Sequence, residues 1–563
     1  EIENAGQSGW TESPSVREKM EIPDAILEHN LFGIDIDARS IQLASLVLVM
    51  KARESGYEGP INHLNLVVAN SAPFESEAWY QFIQNIEKEG KHSVARVLAS
   101  LGLQLKNLDE FGSLLRIEDE MQKIIQEEKS KWAEQAKAGL EQEYLFPEMA
   151  KPKQEKLPFE TAITDETFFD RLGSVIHKKL DSFYLKARQD GLAEEAIMVE
   201  DAERGFDFSR LNMQRYDVVY TNPPFLGNRN MGKMLQEFLT KEYPEAKADL
   251  FASFIRRCQE LSKENCYVAM VTMQGWMFLK AYKNLRAAED TAKHAYSGLL
   301  HTASFETICH LGSRAFDPDH KLHDGVAVVL ITFRKTPVIS NHRLSAIRAV
   351  APSSPEEKNT LIIKALQGYE KPKLYIANQS DFLNIYGYPF VYWLSDKLLK
   401  ALQSKAKVQD NITITEGAGS RDEERFVKFF WEVPQRGSTD WVPYAKGGGY
   451  KKWCGLTYFV LDWTGNGDKI KSFLISRFPY LKGNTKILIR DEYLFFQRGL
   501  TYTDFANGCL SCRVVEGFIC SDQGPGVFSS KFTPELISSV FNSKLYSYLI
   551  RAVSPNPIHI RKG

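Results

Sequence analysis

Cysteine is scarce in this chain. There are seven in 563 residues, an odd number, too few for a disulfide scaffold and in keeping with a reducing cytoplasm. Long hydrophobic runs are missing too. The longest, around Ile41 to Met50, falls short of the roughly 20 residues that span a bilayer and sits inside an amphipathic pattern, so no membrane association is expected. The N-terminus, Glu1-Ile-Glu-Asn, has neither the basic flank nor the apolar stretch of a secretory leader, which makes the cytoplasm the expected location. A large net charge is also absent, the balance being −2. With 43% apolar and 25% charged residues, wholesale disorder is excluded. No internal repeat of fixed period is present. The length exceeds what one compact core holds.

The small net charge conceals an asymmetry. From Asp381 onward there are 24 Lys and Arg against 17 Asp and Glu, an excess of seven positive charges that leaves the rest of the chain nine negative. Five of the nine Trp residues (Trp393, Trp431, Trp441, Trp453 and Trp463) lie in that basic third. Basic charge interleaved with aromatics suits phosphates and bases, although on charge alone an ordinary domain surface is the favoured reading of so weak a signal.

Along the chain, Leu31 to Asp35 reads as a short buried strand that turns directly into a helix near Ala38, whose broad apolar stripe suits packing on a sheet. His63 to Ala69 reads as a second strand. Residues 75–205 are rich in Lys, Glu and Gln, and stretches such as the one opening at Glu118 read as solvated helices inserted into an α/β core. The core resumes at Tyr216 to Thr221, read as a buried strand, and continues through a helix at Leu250 to Ser262 and strands at Tyr267 to Thr272, Phe305 to Leu311 and Gly325 to Phe333. Pro and Ser over residues 336–380 suggest a linker. Residues 381–563 show shorter strands, Gly-rich turns and a last helix from Pro534 to Arg551.

The chemistry concentrates at Asn222-Pro223-Pro224-Phe225, directly after a hydrophobic strand. Two prolines stiffen the backbone and remove two N–H donors, leaving carbonyls to face outward. An Asn side-chain oxygen beside the Pro223 carbonyl offers two acceptors to one planar amino group, and Phe225 offers a face for a heterocycle. A rigid Asn-Pro turn is the competing reading, but α/β sheets bind ligands at the carboxyl ends of their strands. In Gly33-Ile-Asp35-Ile-Asp37, an acid at a strand end can accept the hydroxyls of a ribose. Asp35 takes that role here, and Asp37 caps or supports the following helix. Asn70, just after the second strand, could reach an adenine edge or simply form a turn.

These pieces, in this order, resemble the adenine-specific DNA methyltransferases. The likeness sharpens over Tyr220-Thr-Asn-Pro-Pro-Phe-Leu-Gly-Asn, Ala248-Asp-Leu-Phe-Ala-Ser and Met270-Val-Thr-Met-Gln-Gly-Trp, and it is closest to the PglX type of BREX phage-resistance systems. The resemblance implies a Rossmann-like class I methyltransferase core (residues 1–74 and 206–335) with a helical insertion (75–205), then a linker and a mixed α/β target-recognition domain (381–563). It implies methyl transfer from S-adenosylmethionine to the N6 amino group of a flipped adenine in double-stranded DNA. Asn222, Pro223, Pro224 and Phe225 would hold the base, and Asp35, Asp37, Asn70 and Asp249 would serve the cofactor pocket. Arg421, Arg425, Lys446, Lys451, Lys452 and Arg498 would contact DNA, mostly at phosphate. Other phage-defence proteins are expected as partners.

One departure matters. The family's glycine-rich cofactor loop should precede the strand at Leu31, and Glu1 to Asn30 contains no such motif. The chain is therefore expected to be a fragment that binds S-adenosylmethionine weakly or not at all. The alternatives are N4-cytosine or protein-glutamine methylation, or a DNA-recognition and partner-docking component inactive in this form. No metal is expected: Cys509-x-x-Cys512, with Cys454 and Cys520, lacks a second spaced pair, and His310, His320 and His323 read as part of a solvated loop.

Overall fold

The computed structural model describes residues 13–553 apart from 14, 17, 62–63, 70–73, 75, 90–91, 119–122, 124–177, 179, 181, 186–192, 289–295, 317–325, 370–373, 404–409, 434–439 and 505–508. The chain falls into two units interleaved in sequence. Unit 1 takes Glu1–Val219, Asn228–Tyr243 and Ser253–Cys266, and unit 2 takes Tyr220–Gly227, Pro244–Ala252 and Tyr267–Gly563.

In unit 1, β1 (Phe32–Asp35) pairs in parallel with β2 (Asn65–Val68), in register from Phe32 opposite Asn65 to Asp35 opposite Val68. Between them runs α2 (Ala38–Glu54), preceded in the chain by α1 (Ile22–His29). The close approach of the two strands needs Gly33, where a Cβ would lie 2.6 Å from a Leu66 methyl. The apolar stripe of α2 is less covered than its breadth suggests. Ala52 is the residue of α2 that is buried, and Leu43 is 63% exposed. Two strands are too narrow a sheet to cover so wide a stripe.

Within residues 75–205, α3 (Glu77–Lys88) and α4 (His92–Gln104) pack with the helix Ala193–Met213 around Phe74, Trp79 and Phe82. Most of the charged stretch opening at Glu118 lies outside the described residues. Glu118 itself corrects the solvated reading, because it is buried against Arg257, which is fully buried. Arg257 also donates to the Asn212 Oδ1 at 2.7 Å and to the Ser113 carbonyl at 2.7 Å, so every part of its guanidinium is engaged. That satisfaction is what makes a charge tolerable in an apolar interior.

A six-stranded mixed sheet has the order β3 (Tyr216–Thr221), β4 (Ser262–Met273), β6 (Val328–Arg334), β5 (Ser304–Gly312), β7 (Arg343–Arg348), β8 (Leu374–Asn378). Its first two strands carry the chain from one unit to the other. The β5–β7 pair is parallel, and the β4–β6, β5–β6 and β7–β8 pairs are antiparallel. Residues 336–380 are therefore not a linker. The Ser and Pro that suggested one include the cap of an ordered element: Ser354 accepts the Glu357 N–H and Pro355 opens the helix Pro355–Leu366. His310 corrects a second reading, since it lies on β5 and is buried, while His320 and His323 lie outside the described residues.

Beyond residue 410, unit 2 builds two four-stranded sheets. One has the order β10 (Val427–Phe429), β12 (Phe459–Asp462), β11 (Trp441–Ala445), β15 (Ile519–Cys520). The other has β14 (Cys512–Val515), β13 (Gly499–Tyr502), β16 (Gly526–Phe528), β9 (Thr413–Thr415). The last helix is two, Pro534–Phe541 and Lys544–Val553, separated at Asn542, whose side chain is taken by the Cys512 backbone. No helix among the described residues is long and apolar enough to cross a membrane.

Candidate active site

β3 delivers the Asn222 segment. It was expected to be buried, yet it alternates between half-buried and exposed positions, and Tyr220 is 77% exposed. Among the described residues it is an edge strand, next to β4 alone.

The loop that follows is held by the start of the helix Leu250–Leu261. The Leu226 N–H donates to Asp249 Oδ1 at 3.1 Å, the Leu250 N–H donates to the Leu226 carbonyl at 3.0 Å, and Gly227 bridges Asp249 in antiparallel fashion. Asp249 also accepts from the Phe251 N–H at 3.4 Å. Burial raises its pKa, and the backbone N–H groups of Phe251, Leu226 and Leu250 pull the other way without cancelling that effect. The Phe225 ring meets Phe251 edge-on at 6.2 Å, and Phe251 in turn meets Tyr282 at 5.8 Å. Burial, with the Asp249 charge, pushes the Tyr282 hydroxyl far above its ordinary pKa, so it stays protonated.

Pro223 is buried, Phe225 is half-buried, and Asn222 and Pro224 are exposed. The Asn222 amide makes no hydrogen bond to the described residues. A stiff loop, fastened at Leu226 and Gly227, thus presents an uncommitted amide at the end of a strand. The structure brings Asn222, Pro223, Pro224, Phe225 and Asp249 together. Phe251 and Tyr282, which support the loop, were not singled out from sequence. The available signal was an aromatic two positions after Asp249.

In unit 1, Asp35 is exposed at the carboxyl end of β1. Its Oδ1 accepts the Asp37 N–H at 2.8 Å, and its Oδ2 has no partner among the described residues. Asp37 is spent otherwise. It caps α2 by accepting the Arg39 N–H at 2.9 Å and pairs with the Arg39 guanidinium, which lowers its pKa. Asn70 lies outside the described residues.

Five of the six basic candidates in unit 2 are engaged within the chain. Arg421 pairs with Asp522 at 3.2 Å and Lys446 with Glu423 at 2.6 Å. Arg498 pairs with Glu516 and Glu535. Lys452 donates to the Asn542 carbonyl at 2.6 Å, and Arg425 lies over the rings of Phe426 and Phe473. The Lys451 side chain is exposed and has no partner among the described residues. Of the cysteines, Cys454 is exposed, and burial pushes the thiols of Cys512 and Cys520 up to about 12. Among the described residues no group of His, Cys, Asp and Glu is arranged to hold a metal.

Residues 29–297, which contain both the Asn222 loop and its Asp249 clamp, match the family model of the Eco57I restriction-modification methylase. The segment that carries the candidate site is thus similar to restriction-modification methylase sequence. Over 561 residues the chain is 25% identical to the adenine-specific methyltransferase PglX of Lacticaseibacillus casei (strain Zhang), covering 95% of this chain and 40% of that protein. Over 559 residues it is 26% identical to the adenine-specific methyltransferase BrxX of Escherichia coli O9:H4 (strain HS), with the same coverage. The chain is similar to these two proteins and spans about 40% of their length. Among solved structures, a nuclease-deletion mutant of the Type ISP restriction-modification enzyme LlaGI, in complex with a DNA substrate mimic, is 9% identical. It covers 64% of this chain and 41% of that one with a TM-score of 0.36, too distant to assign any residue a role.

Proposed function

We propose that this chain carries the adenine-binding and DNA-recognition parts of a site-specific DNA adenine N6-methyltransferase that uses S-adenosylmethionine and acts in defence against phage. The observation that carries the reading is the exposed Asn222 amide, without a partner among the described residues, on a loop clamped by Asp249 within a methylase-like segment. The parallel β1-α2-β2 unit with Asp35 at its carboxyl end supports a Rossmann-like core, and α3 and α4 support a helical insertion.

S-adenosylmethionine supplies a methyl group made electrophilic by its sulfonium. Asp35 fits that cofactor through its uncommitted Oδ2, which can accept a ribose hydroxyl. Asp37 acts in support, by holding the start of α2. Asn222 Oδ1 and the Pro223 carbonyl accept the two N6 hydrogens of a flipped adenine, which turns the nitrogen lone pair out of the ring plane and toward the methyl. Phe225 stacks on the base, and Phe251 keeps that ring from turning. With S-adenosylmethionine bound, its sulfonium methyl would be the group that N6 accepts, and these residues would hold the amino group so that one N6 proton can leave to solvent. Residues 381–563 read the DNA, with Lys451 the basic candidate whose charge has no partner among the described residues.

Sequencing of DNA incubated with S-adenosylmethionine and this chain extended at its N-terminus by the family's glycine-rich cofactor loop tests the reading. N6-methyladenine at one recurring sequence is expected, and Asn222→Ala should abolish it. N4-methylcytosine in its place, or methylation that survives Asn222→Ala, overturns the assignment.

A further inference from the structure

The loop Lys446–Trp453 has a construction that its basic composition alone does not explain. No acidic residue occurs between Asp440 and Asp462, while Lys446, Lys451 and Lys452 all do. Three successive glycines, Gly447, Gly448 and Gly449, have φ of 83°, 81° and 70°, a left-handed run that other residues adopt only with strain. At Gly447 a Cβ would lie 2.1 Å from the Gln523 carbonyl oxygen, so the loop is pressed onto its neighbour, whereas Gly448 faces open space.

The loop is fastened from beneath by buried polar groups. Ser521 donates to the Lys446 carbonyl at 3.0 Å, and Thr503 to the Gly449 carbonyl at 3.0 Å. Arg513, 1% exposed, donates to the Lys451 carbonyl at 3.3 Å, and its Nε has no partner. The Trp453 N–H donates to the Cys512 carbonyl at 2.8 Å, and the Val514 N–H returns to the Trp453 carbonyl at 3.0 Å. Lys452 is a strut, its ammonium on the Asn542 carbonyl and 5.9 Å from the Tyr450 ring. What remains at the surface is Tyr450, 56% exposed, Trp453, 53% exposed, and the exposed Lys451 between them.

Large exposed aromatics on a rigid base are costly to display in water and lose little entropy on binding. Flanked by Lys451 and Lys452, with no carboxylate in the loop's own sequence, they suit a polyanion that also offers ring faces. We infer that this loop is a DNA-gripping wedge in which Lys451 contacts phosphate and Tyr450 and Trp453 pack on bases where the duplex is locally unstacked. The inference rests on the DNA methyltransferase reading and deepens it, since an extruded base leaves such an unstacked site.

Fluorescence anisotropy with the purified chain and two labelled duplexes, one fully paired and one with a single abasic site, tests the wedge. The abasic duplex should bind tighter by about tenfold. Tyr450→Ala and Trp453→Ala should each remove that preference. Lys451→Ala should weaken both duplexes alike and reduce the salt slope by about one. Melting temperatures report folding, and if Trp453→Ala melts early, Tyr450→Ala decides. Wild-type binding that both aromatic variants retain, with the same preference, overturns the wedge and leaves the methyltransferase reading standing. No DNA binding by the wild-type chain overturns the wedge together with the DNA-recognition role of residues 381–563.

Discussion

The Asp249 carboxylate accepts the Leu226 N–H at 3.1 Å, across 23 residues of sequence, and so ties the end of the Asn222 loop to the start of a helix. The loop's stiffness therefore has two sources. The prolines restrict it from within, and Asp249 fastens it from outside.

Asp249→Ala leaves a loop N–H without its acceptor and should cost about 1–3 kcal/mol. Asp249→Asn keeps an acceptor oxygen and removes the buried charge. Because burial raises the Asp249 pKa above its unfolded value, the stability it lends is present at low pH and lost as pH rises through the folded pKa. Thermal melts should thus show Asp249→Asn at least as stable as wild type at pH 7, with any advantage vanishing below the ordinary carboxylate range. A large loss at pH 7 for the Asn variant would contradict this account.

Arg257 and Glu118 form a buried pair in unit 1. Glu118→Ala strands the guanidinium and should destabilise unit 1 by about 3–5 kcal/mol in denaturant unfolding. Replacing both partners, as in Glu118→Leu with Arg257→Met, should cost less than the two single changes summed.

His310 is held neutral. Burial, aided by Arg348 and Lys358, pushes its pKa down to about 3, and Nε2 meets Gln274 Oε1 at 2.5 Å. With the folded value depressed, the unfolded chain takes up a proton first, so stability is lost as pH falls from the ordinary histidine value toward about 3. The slope from this group reaches about 1.4 kcal/mol per pH unit. His310→Phe should flatten that part of the stability–pH curve, which urea titrations at pH 7, 5 and 4 would show.

Two adjacent glycines separate close contact from backbone strain. Gly448→Ala meets open space and should cost about 1–2 kcal/mol for its left-handed backbone alone. Gly447→Ala adds a clash with the Gln523 carbonyl and should cost more. Equal melting temperatures for the two variants would refute the pressed-loop geometry.

Much of the local structure was legible. Leu31 to Asp35 announced β1 by its apolar run, and Asp37 announced the cap of α2 because a short acid before a helix finds the free N–H groups of the first turn. The Asn222 tetrapeptide stood out because two prolines after an apolar strand admit few conformations. What misled was composition read as environment. Pro and Ser over residues 336–380 looked like a linker although Ser354 and Pro355 begin a helix beside a sheet. Glu118 looked solvated because its Arg257 partner lies 139 residues away. Val218 and Tyr220 looked buried because an edge strand and a central one can have the same apolar sequence.

By itself, then, the sequence determined the elements whose causes are local: strand runs, caps, the stiff Asn222 turn, the Gly-rich turns and the basic, aromatic character of the last third. Tertiary structure alone decided which charges are compensated and which side chains are free. Asp249 holds Leu226, Arg257 holds Glu118, and Lys451 stays exposed, without a partner among the described residues, while Lys452 becomes a strut. The physical reason is reach. Capping and turn chemistry act within a few residues, whereas ion pairing and burial depend on what the fold brings close from anywhere in the chain.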